Sequence, residues 1–137
     1  MYSFFDTNIL IYVVDHSDPV KQKKARQLLE QETAAGNAII STQVLQEFYS
    51  ASTSRLEKPL EKSIAEQIVS KLMTLPVKQV DTSLIKAAIK RNQTDQVSFW
   101  DALIIETALG VGARILWSED MQHDSEIDGL KIQNPFK

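Results

Sequence analysis

Acidic residues recur at the places where an α/β fold gathers side chains that can do chemistry. Each follows a predicted strand or lies early in a predicted helix, and together they are Asp6, Glu47, Asp101 and the adjacent pair Glu119 and Asp120. Ligands in open α/β sheets bind at the carboxyl ends of the strands. We therefore expect these acids to converge at one edge of the sheet.

The residue types at this edge restrict the chemistry. Carboxylates held close together repel one another, so divalent cations are their natural occupants. The sequence has no cysteine, and its only histidines are His16 and His123, which excludes thiolate zinc sites, cysteine nucleophiles and a multi-histidine metal site within one chain. Hard oxygen ligands favour Mg²⁺ or Mn²⁺ over Zn²⁺. Such a site polarises phosphoryl oxygens and activates water for in-line attack on a phosphodiester.

Each acid also has a purely structural interpretation. Asp6 fits a helix cap, Glu47 an exposed helix position and Asp120 a turn after a strand. Ser98 and Asp101 have the spacing of a capping box, in which two side chains bind the backbone of one helical turn reciprocally. These alternatives stay open for each residue taken singly. The convergence of four acids on one edge is harder to explain in that way.

The elements that must position these acids alternate along the chain. Short strands are predicted over residues 2–6, 38–41, 77–80 and 114–117, with a fifth at 130–132. Helices are predicted over 9–15, 82–91 and 98–109, from Pro19 to Gly36, after a cap at Thr42, and on the apolar face from Ile64 to Leu72. Residues 92–97 are predicted to form a loop. This alternation predicts an α/β domain with a mostly parallel sheet of four to five strands and helices on both faces.

Composition sets the remaining limits. A chain of 137 residues with 43% hydrophobic and 24% charged residues is typical of one globular domain, here 1–137. The net charge of −3 gives no general attraction to nucleic acid, so a polyanionic substrate needs bound cations or a local basic patch. Two basic clusters are candidates, although such residues more often form a solvated face: Lys21, Lys23, Lys24 and Arg26, and Lys86, Lys90 and Arg91. The apolar runs are too short to span a membrane and the first residues are wrong for a secretory signal, so we expect a soluble, cytoplasmic protein.

Five segments together resemble one known family. They are Phe5-Asp6-Thr7-Asn8-Ile9-Leu10, Gln46-Glu47-Phe48, Ser98-Phe99-Trp100-Asp101-Ala102-Leu103-Ile104, Ser118-Glu119-Asp120-Met121 and Asn134-Pro135-Phe136. In this order and spacing the chain resembles the PIN-domain ribonucleases, and most closely the toxin component of VapBC-type toxin–antitoxin pairs. The Asp-Thr-Asn and Trp-Asp-Ala-Leu-Ile signatures are specific when they occur together, and the resemblance covers essentially the whole chain.

The resemblance implies a three-layer PIN-like fold and an endoribonuclease that depends on Mg²⁺ or Mn²⁺. It matches Asp6, Glu47 and Asp101 to the family's first three acids, and its Ser/Thr-x-Asp pattern selects Asp120 as the fourth, with Glu119 as the adjacent alternative. Thr7, Asn8 and Ser118 match polar positions that orient the carboxylates or water, and Glu119 belongs with them if Asp120 is the ligand. The implied partners are an RNA substrate, a cognate antitoxin and a second copy of the chain.

Two other function classes remain as alternatives. One is a catalytically idle PIN-like module that binds RNA or protein, although a pure binding module has no need of a repulsive acid cluster. The other is a phosphatase or phospho-receiver on a related α/β fold. The first strand lacks the Asp-x-Asp of one common phosphatase class because position 8 is Asn, and Asp81 after the third strand fits a receiver poorly.

Overall fold

The computed structural model of the protein describes residues 1–137 and contains six strands and six helices, with a pair of helices between each of the first four strands. The strands are β1 (Ser3–Phe5), β2 (Ala38–Ser41), β3 (Val77–Lys78), β4 (Ile115–Trp117), β5 (Glu126–Ile127) and β6 (Leu130–Gln133). The helices are α1 (Thr7–Val14), α2 (Pro19–Ala34), α3 (Thr42–Ser52), α4 (Lys62–Leu72), α5 (Thr82–Thr94) and α6 (Phe99–Gly110). None of the helices is both long enough and apolar enough to cross a membrane.

The six strands form one sheet in the order β3-β2-β1-β4-β6-β5. All neighbours run parallel except β5 and β6, which confirms the predicted α/β fold with a mostly parallel sheet. The sixth strand is the short β5, which sequence analysis did not predict. A tight turn joins it to β6 at Asp128 and Gly129, both of which have positive φ (50° and 89°). Asp-Gly is a preferred pair for such hairpin turns, so the signal was present in the sequence.

The central strand β1 is buried on both sides. Phe4 and Phe5 are each 0% exposed, although neighbouring residues in a strand point to opposite faces of the sheet. Helices therefore cover both faces, as predicted. The main core continues through buried aliphatic and aromatic residues of β2, β4, α1, α3 and α6, and a smaller cluster joins α5 to α6.

Several predicted boundaries were wrong for local reasons. Helix α3 is capped by Ser41, whose Oγ accepts a hydrogen bond from the backbone N–H of Val44 (3.3 Å), not by Thr42. The Thr42 hydroxyl instead accepts from the backbone N–H of Val80 (3.1 Å), and β3 ends at Lys78, two residues before that N–H. Helix α1 begins at Thr7 rather than after an initial Thr-Asn turn, and α5 continues to Thr94 into the predicted loop.

Candidate active site

The candidate site lies at the carboxyl ends of β1 and β4. These strands are parallel neighbours in register, with Phe5 opposite Trp117, so the residues that follow them meet at one edge of the sheet. Asp6 follows β1, and Ser118 follows β4. The Ser118 hydroxyl donates a 2.8 Å hydrogen bond to Oδ2 of Asp6. This edge opens into a cleft of about 830 Å³ that Asp6, Glu47, Asp101, Glu119 and Asp120 all line.

Asp6 is both a helix cap and a buried member of the acid cluster. Its Oδ1 accepts a 2.7 Å hydrogen bond from the backbone N–H of Thr7 at the start of α1, so the capping interpretation is correct. Its Oδ2 accepts from Ser118 and, at 3.3 Å, from Nδ2 of Asn8. The residue is only 6% exposed. The two roles are compatible because the cap uses one carboxylate oxygen.

Burial raises the pKa of Asp6 from its ordinary 3.8 to about 7. Desolvation of the charged form is the main cause, and the negative charges of Glu47 and Asp101 raise the pKa further. The hydrogen bonds from Ser118 and the Thr7 backbone oppose the shift without cancelling it. At neutral pH this carboxylate lacks a compensating positive charge.

Asn8 connects Asp6 to Asp120. Its Nδ2 donates to Oδ2 of Asp6 and, at 2.9 Å, to Oδ2 of Asp120. Its Oδ1 accepts a 3.1 Å hydrogen bond from the backbone N–H of Glu119, which fixes the orientation of the amide. Asn8 therefore joins the ends of β1 and β4 through the two carboxylates that it holds.

Glu47 is held from α1 and from its own helix. The Thr7 hydroxyl donates to Oε1 of Glu47 (2.7 Å), and Nε2 of Gln43 lies 3.4 Å from Oε2. Gln43, which sequence analysis missed, is 4% exposed and also donates to the carbonyl oxygen of Trp100 (3.2 Å). It thus joins α3 to α6, and its Oε1 is buried without a hydrogen-bond partner. Its spacing of four residues from Glu47 was the available signal.

Asp101 lies in the first turn of α6 and forms only half of a capping box. The Ser98 Oγ accepts from the backbone N–H of Asp101 (3.1 Å), but the Asp101 carboxylate makes no hydrogen bond to the Ser98 backbone. Partial burial is the main factor that raises the pKa of Asp101, with the charge of Asp120 next and a smaller contribution from Glu47. The polar side chain of Ser98, next to the carboxylate, lowers it. Asp101 lines the same cleft as Asp120 and Glu47, near enough for their charges to act on its carboxylate.

The comparisons with known proteins agree with this architecture. A sequence model of the PIN domain matches residues 3–125, which is most of the chain. The chain belongs to the PIN-domain family. No curated protein sequence matches it significantly.

Solved structures show the same fold at low sequence identity. The VapC20 toxin of Mycobacterium tuberculosis, described as cleaving the sarcin–ricin loop, has a TM-score of 0.67 and 21% identity over 86% of this chain and 91% of its own. A chain of VapBC2 from Rickettsia felis, bound to promoter DNA, has a TM-score of 0.69 and 20% identity over 98% of both chains. A chain of VapBC-1 from nontypeable Haemophilus influenzae has a TM-score of 0.67 and 19% identity over the whole of both.

Within this PIN domain, the adjacent acids Glu119 and Asp120 have different surroundings. Oε1 of Glu119 accepts a 2.7 Å hydrogen bond from the Tyr12 hydroxyl, and its Oε2 forms an ion pair with Lys21. The Lys21 ammonium also lies 4.9 Å from the Tyr12 ring centroid and 5.3 Å from that of Phe136. Asp120 instead accepts from Asn8 and raises the pKa of Asp101 through its charge. The charge of Glu119 is already compensated, whereas that of Asp120 acts within the cleft.

The basic residues of the PIN domain are only partly available to a ligand. Arg91 is held in ion pairs with Glu106 (2.7 Å), Asp95 (2.9 Å) and Asp128 (3.0 Å), so it stabilises the packing of α5 against α6 and the β5–β6 turn. Lys21 is occupied by Glu119. Neither predicted basic cluster lines the cleft, and neither do His16 and His123.

The donor set of the cleft fits a hard divalent cation. All the available side-chain ligands there are oxygens, the preference of Mg²⁺ and Mn²⁺. No three of the acids are arranged to hold one ion together, and the oxygens of Asp6 and Glu47 are engaged in hydrogen bonds. Mg²⁺ commonly binds through one or two carboxylates and keeps several waters, so direct coordination by all four acids is not required.

Proposed function

We propose that the protein is a Mg²⁺- or Mn²⁺-dependent endoribonuclease that acts as a toxin and is inhibited by a cognate antitoxin. Membership of the PIN family supports a nuclease, and the likeness to the VapC20 toxin and to chains of VapBC complexes supports the toxin role. The observation that carries the proposal is the cleft that gathers Glu47, Asp101 and Asp120 around the buried carboxylate of Asp6, whose pKa is raised. A cluster with this electrostatic cost needs a cation, and a cation there can bind phosphate.

In this proposal the acids hold the ion and their neighbours position the acids. Asp6, Glu47 and Asp101 would be ligands, with Asp120 as the fourth acid. A bound divalent ion would neutralise the cluster and polarise a phosphoryl oxygen of the RNA. Thr7 orients Glu47, while Asn8 and Ser118 orient Asp6 and keep it next to Asp120.

The experiment that tests the function is a cleavage assay with purified protein and RNA. We expect hydrolysis in Mg²⁺ or Mn²⁺, complete loss of activity in excess chelator and recovery when either metal is added back. Ca²⁺ should support binding with little turnover, because its looser coordination positions the attacking water poorly. Full activity in excess chelator would contradict the metal-dependent mechanism.

Substitution of the adjacent acids should identify the fourth one. We expect Asp120→Asn to lower the cleavage rate severely, by about 100-fold or more, and Glu119→Gln to lower it less. The physical reason is that Lys21 and Tyr12 hold the Glu119 carboxylate while Asp120 faces Asp101 and Asn8. The measurement is the single-turnover cleavage rate of each variant at saturating Mg²⁺. If Glu119→Gln lowers the rate more than Asp120→Asn does, Glu119 and not Asp120 is the fourth acid.

A basic segment of the antitoxin, with an arginine opposite the acids, would be an effective inhibitor of such a cleft. A guanidinium makes paired hydrogen bonds to carboxylates and would replace the ion. Homodimerisation of the single domain 1–137 is a further prediction of the resemblance. Sedimentation velocity over a range of concentrations would test it.

The second candidate function is the idle PIN-like binding module. The compensated Glu119 and the hydrogen bonds to Glu47 and Asp6 are compatible with an inert fold, whereas the raised pKa of Asp6 is a cost that binding alone does not explain. RNA binding without cleavage in any divalent metal would favour this alternative.

A further inference from the structure

Two cleft residues outside the acid cluster have properties that catalysis by the acids leaves unexplained. Trp100 precedes Asp101 at the start of α6 and is 60% exposed. Arg55 follows α3 and is exposed at the same cleft. A tryptophan with so much of its apolar surface in water contributes little to the stability of the fold.

The Trp100 ring is exposed but positioned. Its neighbour Phe99 packs against the small α5–α6 cluster and meets the indole edge-to-face, with ring centroids 5.0 Å apart and an interplanar angle of 73°. On the other side, the Trp100 carbonyl oxygen is bound by the buried Gln43 of α3. An exposed aromatic ring with a supported backbone provides a platform on which a nucleobase can stack.

Arg55 is the only basic residue that lines the cleft. Six acids line it as well: Asp6, Asp15, Glu47, Asp101, Glu119 and Asp120. Arg55 nevertheless forms no ion pair with any of them, because the five ion pairs of the structure all involve Lys21, Arg91 or Lys131. Its guanidinium is therefore free to bind an anion. The acids of the cleft repel RNA phosphates, so we expect Arg55 to bind a phosphate next to the cleaved bond.

Helix α3 connects the two residues. Gln43, Gln46, Glu47, Ser50 and Ala51 face the cleft along one side of this helix, from the contact with Trp100 toward Arg55. The eight residue-to-residue steps from Gln43 to Ala51 span ~12 Å of helix. Trp100 and Arg55 thus lie toward opposite ends of the groove, with Glu47 between them.

We propose that Trp100 and Arg55 form a binding site for a single-stranded RNA segment, in which the indole stacks on an unpaired base and the guanidinium binds a phosphate on the other side of the acid cluster. This inference rests on the proposed function and assigns two residues to the binding of its substrate. A base can offer its face to the indole only when it is unstacked, which excludes an intact duplex. Only six of the 18 lining residues are hydrophobic, so an apolar peptide would bury little of the surface it needs.

The test measures binding separately from cleavage. The Asp6→Asn variant is used in Mg²⁺ buffer to prevent cleavage, and a labelled short single-stranded RNA is compared with the same strand annealed to its complement. Trp100→Ala should weaken single-strand binding by roughly 5- to 150-fold, as expected for the loss of one base–aromatic stack. Trp100→Phe should recover most of it. Addition of Trp117→Phe leaves Trp100 as the only tryptophan, and its fluorescence should be quenched by the single strand and not by the duplex.

Arg55 is tested by the salt dependence of binding. Arg55→Ala should weaken binding and make the plot of log affinity against log salt shallower by ~0.7, the contribution of one phosphate contact to a single strand. Arg55→Lys should keep the slope. Matched controls are Tyr49→Ala, an exposed aromatic on α3 outside the cleft, and Lys58→Ala, an exposed basic residue near Arg55 that also lies outside it. Neither control should change affinity or slope.

The outcomes separate this inference from the proposed function. Metal-dependent cleavage by the wild type together with unchanged RNA binding by Trp100→Ala and Arg55→Ala would leave the nuclease proposal intact and overturn the inference. Single-strand binding that depends on both residues, without cleavage in any metal, would support the inference while the nuclease proposal fails. Equal binding of duplex and single strand would overturn the inference.

Discussion

Replacement of Asp6 by asparagine should lower the RNA cleavage rate by about 100-fold or more while the protein stays folded. Asparagine keeps the shape of the side chain and an oxygen that can accept from the Thr7 N–H, so the cap of α1 is retained. It removes the negative charge of the most buried acid in the cleft, and with it the strongest demand for a cation. Changes even to residues that orient a metal ligand typically cost 10–100-fold, so loss of a ligand should exceed that range. The measurement is the single-turnover rate at saturating Mg²⁺.

The control for this result is a capping aspartate elsewhere. Asp81 caps α5 by accepting from the Leu84 N–H (3.0 Å), is exposed and lies outside the cleft, so Asp81→Asn tests capping alone and should keep full activity. Asp101→Asn should lower the cleavage rate as much as Asp6→Asn does. Ser118→Ala should give a rate between those of Asp6→Asn and Asp81→Asn, because Ser118 only positions Asp6. Activity in Asp6→Asn equal to that of Asp81→Asn would show that Asp6 is only a helix cap.

The sequence was sufficient to predict the edge at which the acids meet. Parallel strands bring their carboxyl ends together, so Asp6 after β1 and Ser118 after β4 had to be neighbours once the alternation of strands and helices was recognised. Asp101 was also placed correctly, because a capping serine three residues earlier marks the first turn of a helix. These predictions rest on local rules that the tertiary structure did not override.

The side-chain contacts of the site could not be predicted from the sequence. Its contacts join residues far apart in the chain, such as Lys21 with Glu119 and Gln43 with the Trp100 carbonyl. A pattern of residue types does not reveal that Lys21 belongs to an ion pair and not to an RNA-binding face. The same limit applies to Arg91, whose three carboxylate partners come from the C-cap of α5, from α6 and from the β5–β6 turn.

A second large effect is expected on stability: without metal, the wild-type protein should become less stable as pH rises from about 4 to about 7. The pKa of Asp6 is near 3.8 in the unfolded chain and about 7 in the fold. Between these values the folded state holds more protons than the unfolded state, so the free energy of unfolding falls with rising pH. The loss begins near the unfolded pKa and is complete above the folded one. A shift of this size corresponds to as much as ~4 kcal/mol.

Asp6→Asn should remove most of this pH dependence, and the slope is the quantity to compare. The NH₂ group of the new asparagine would face the Asn8 Nδ2, which is also a donor, so the absolute stability of the variant also reflects a lost hydrogen bond. The slope of unfolding free energy against pH reports only the loss of the titrating Asp6 carboxyl. Urea unfolding in chelator at several pH values between 4 and 8 would give both, with Asp81→Asn as the capping control. Asp101→Asn should flatten the curve less, because Asp101 is only half-buried.

Saturating Mg²⁺ should raise the stability of the wild type at pH 8 and affect Asp6→Asn much less, since a ligand stabilises only the fold that binds it. Parallel curves for wild type and Asp6→Asn in chelator would mean that Asp6 is already charged in the fold at little cost, and that the cleft makes no strong demand for a cation.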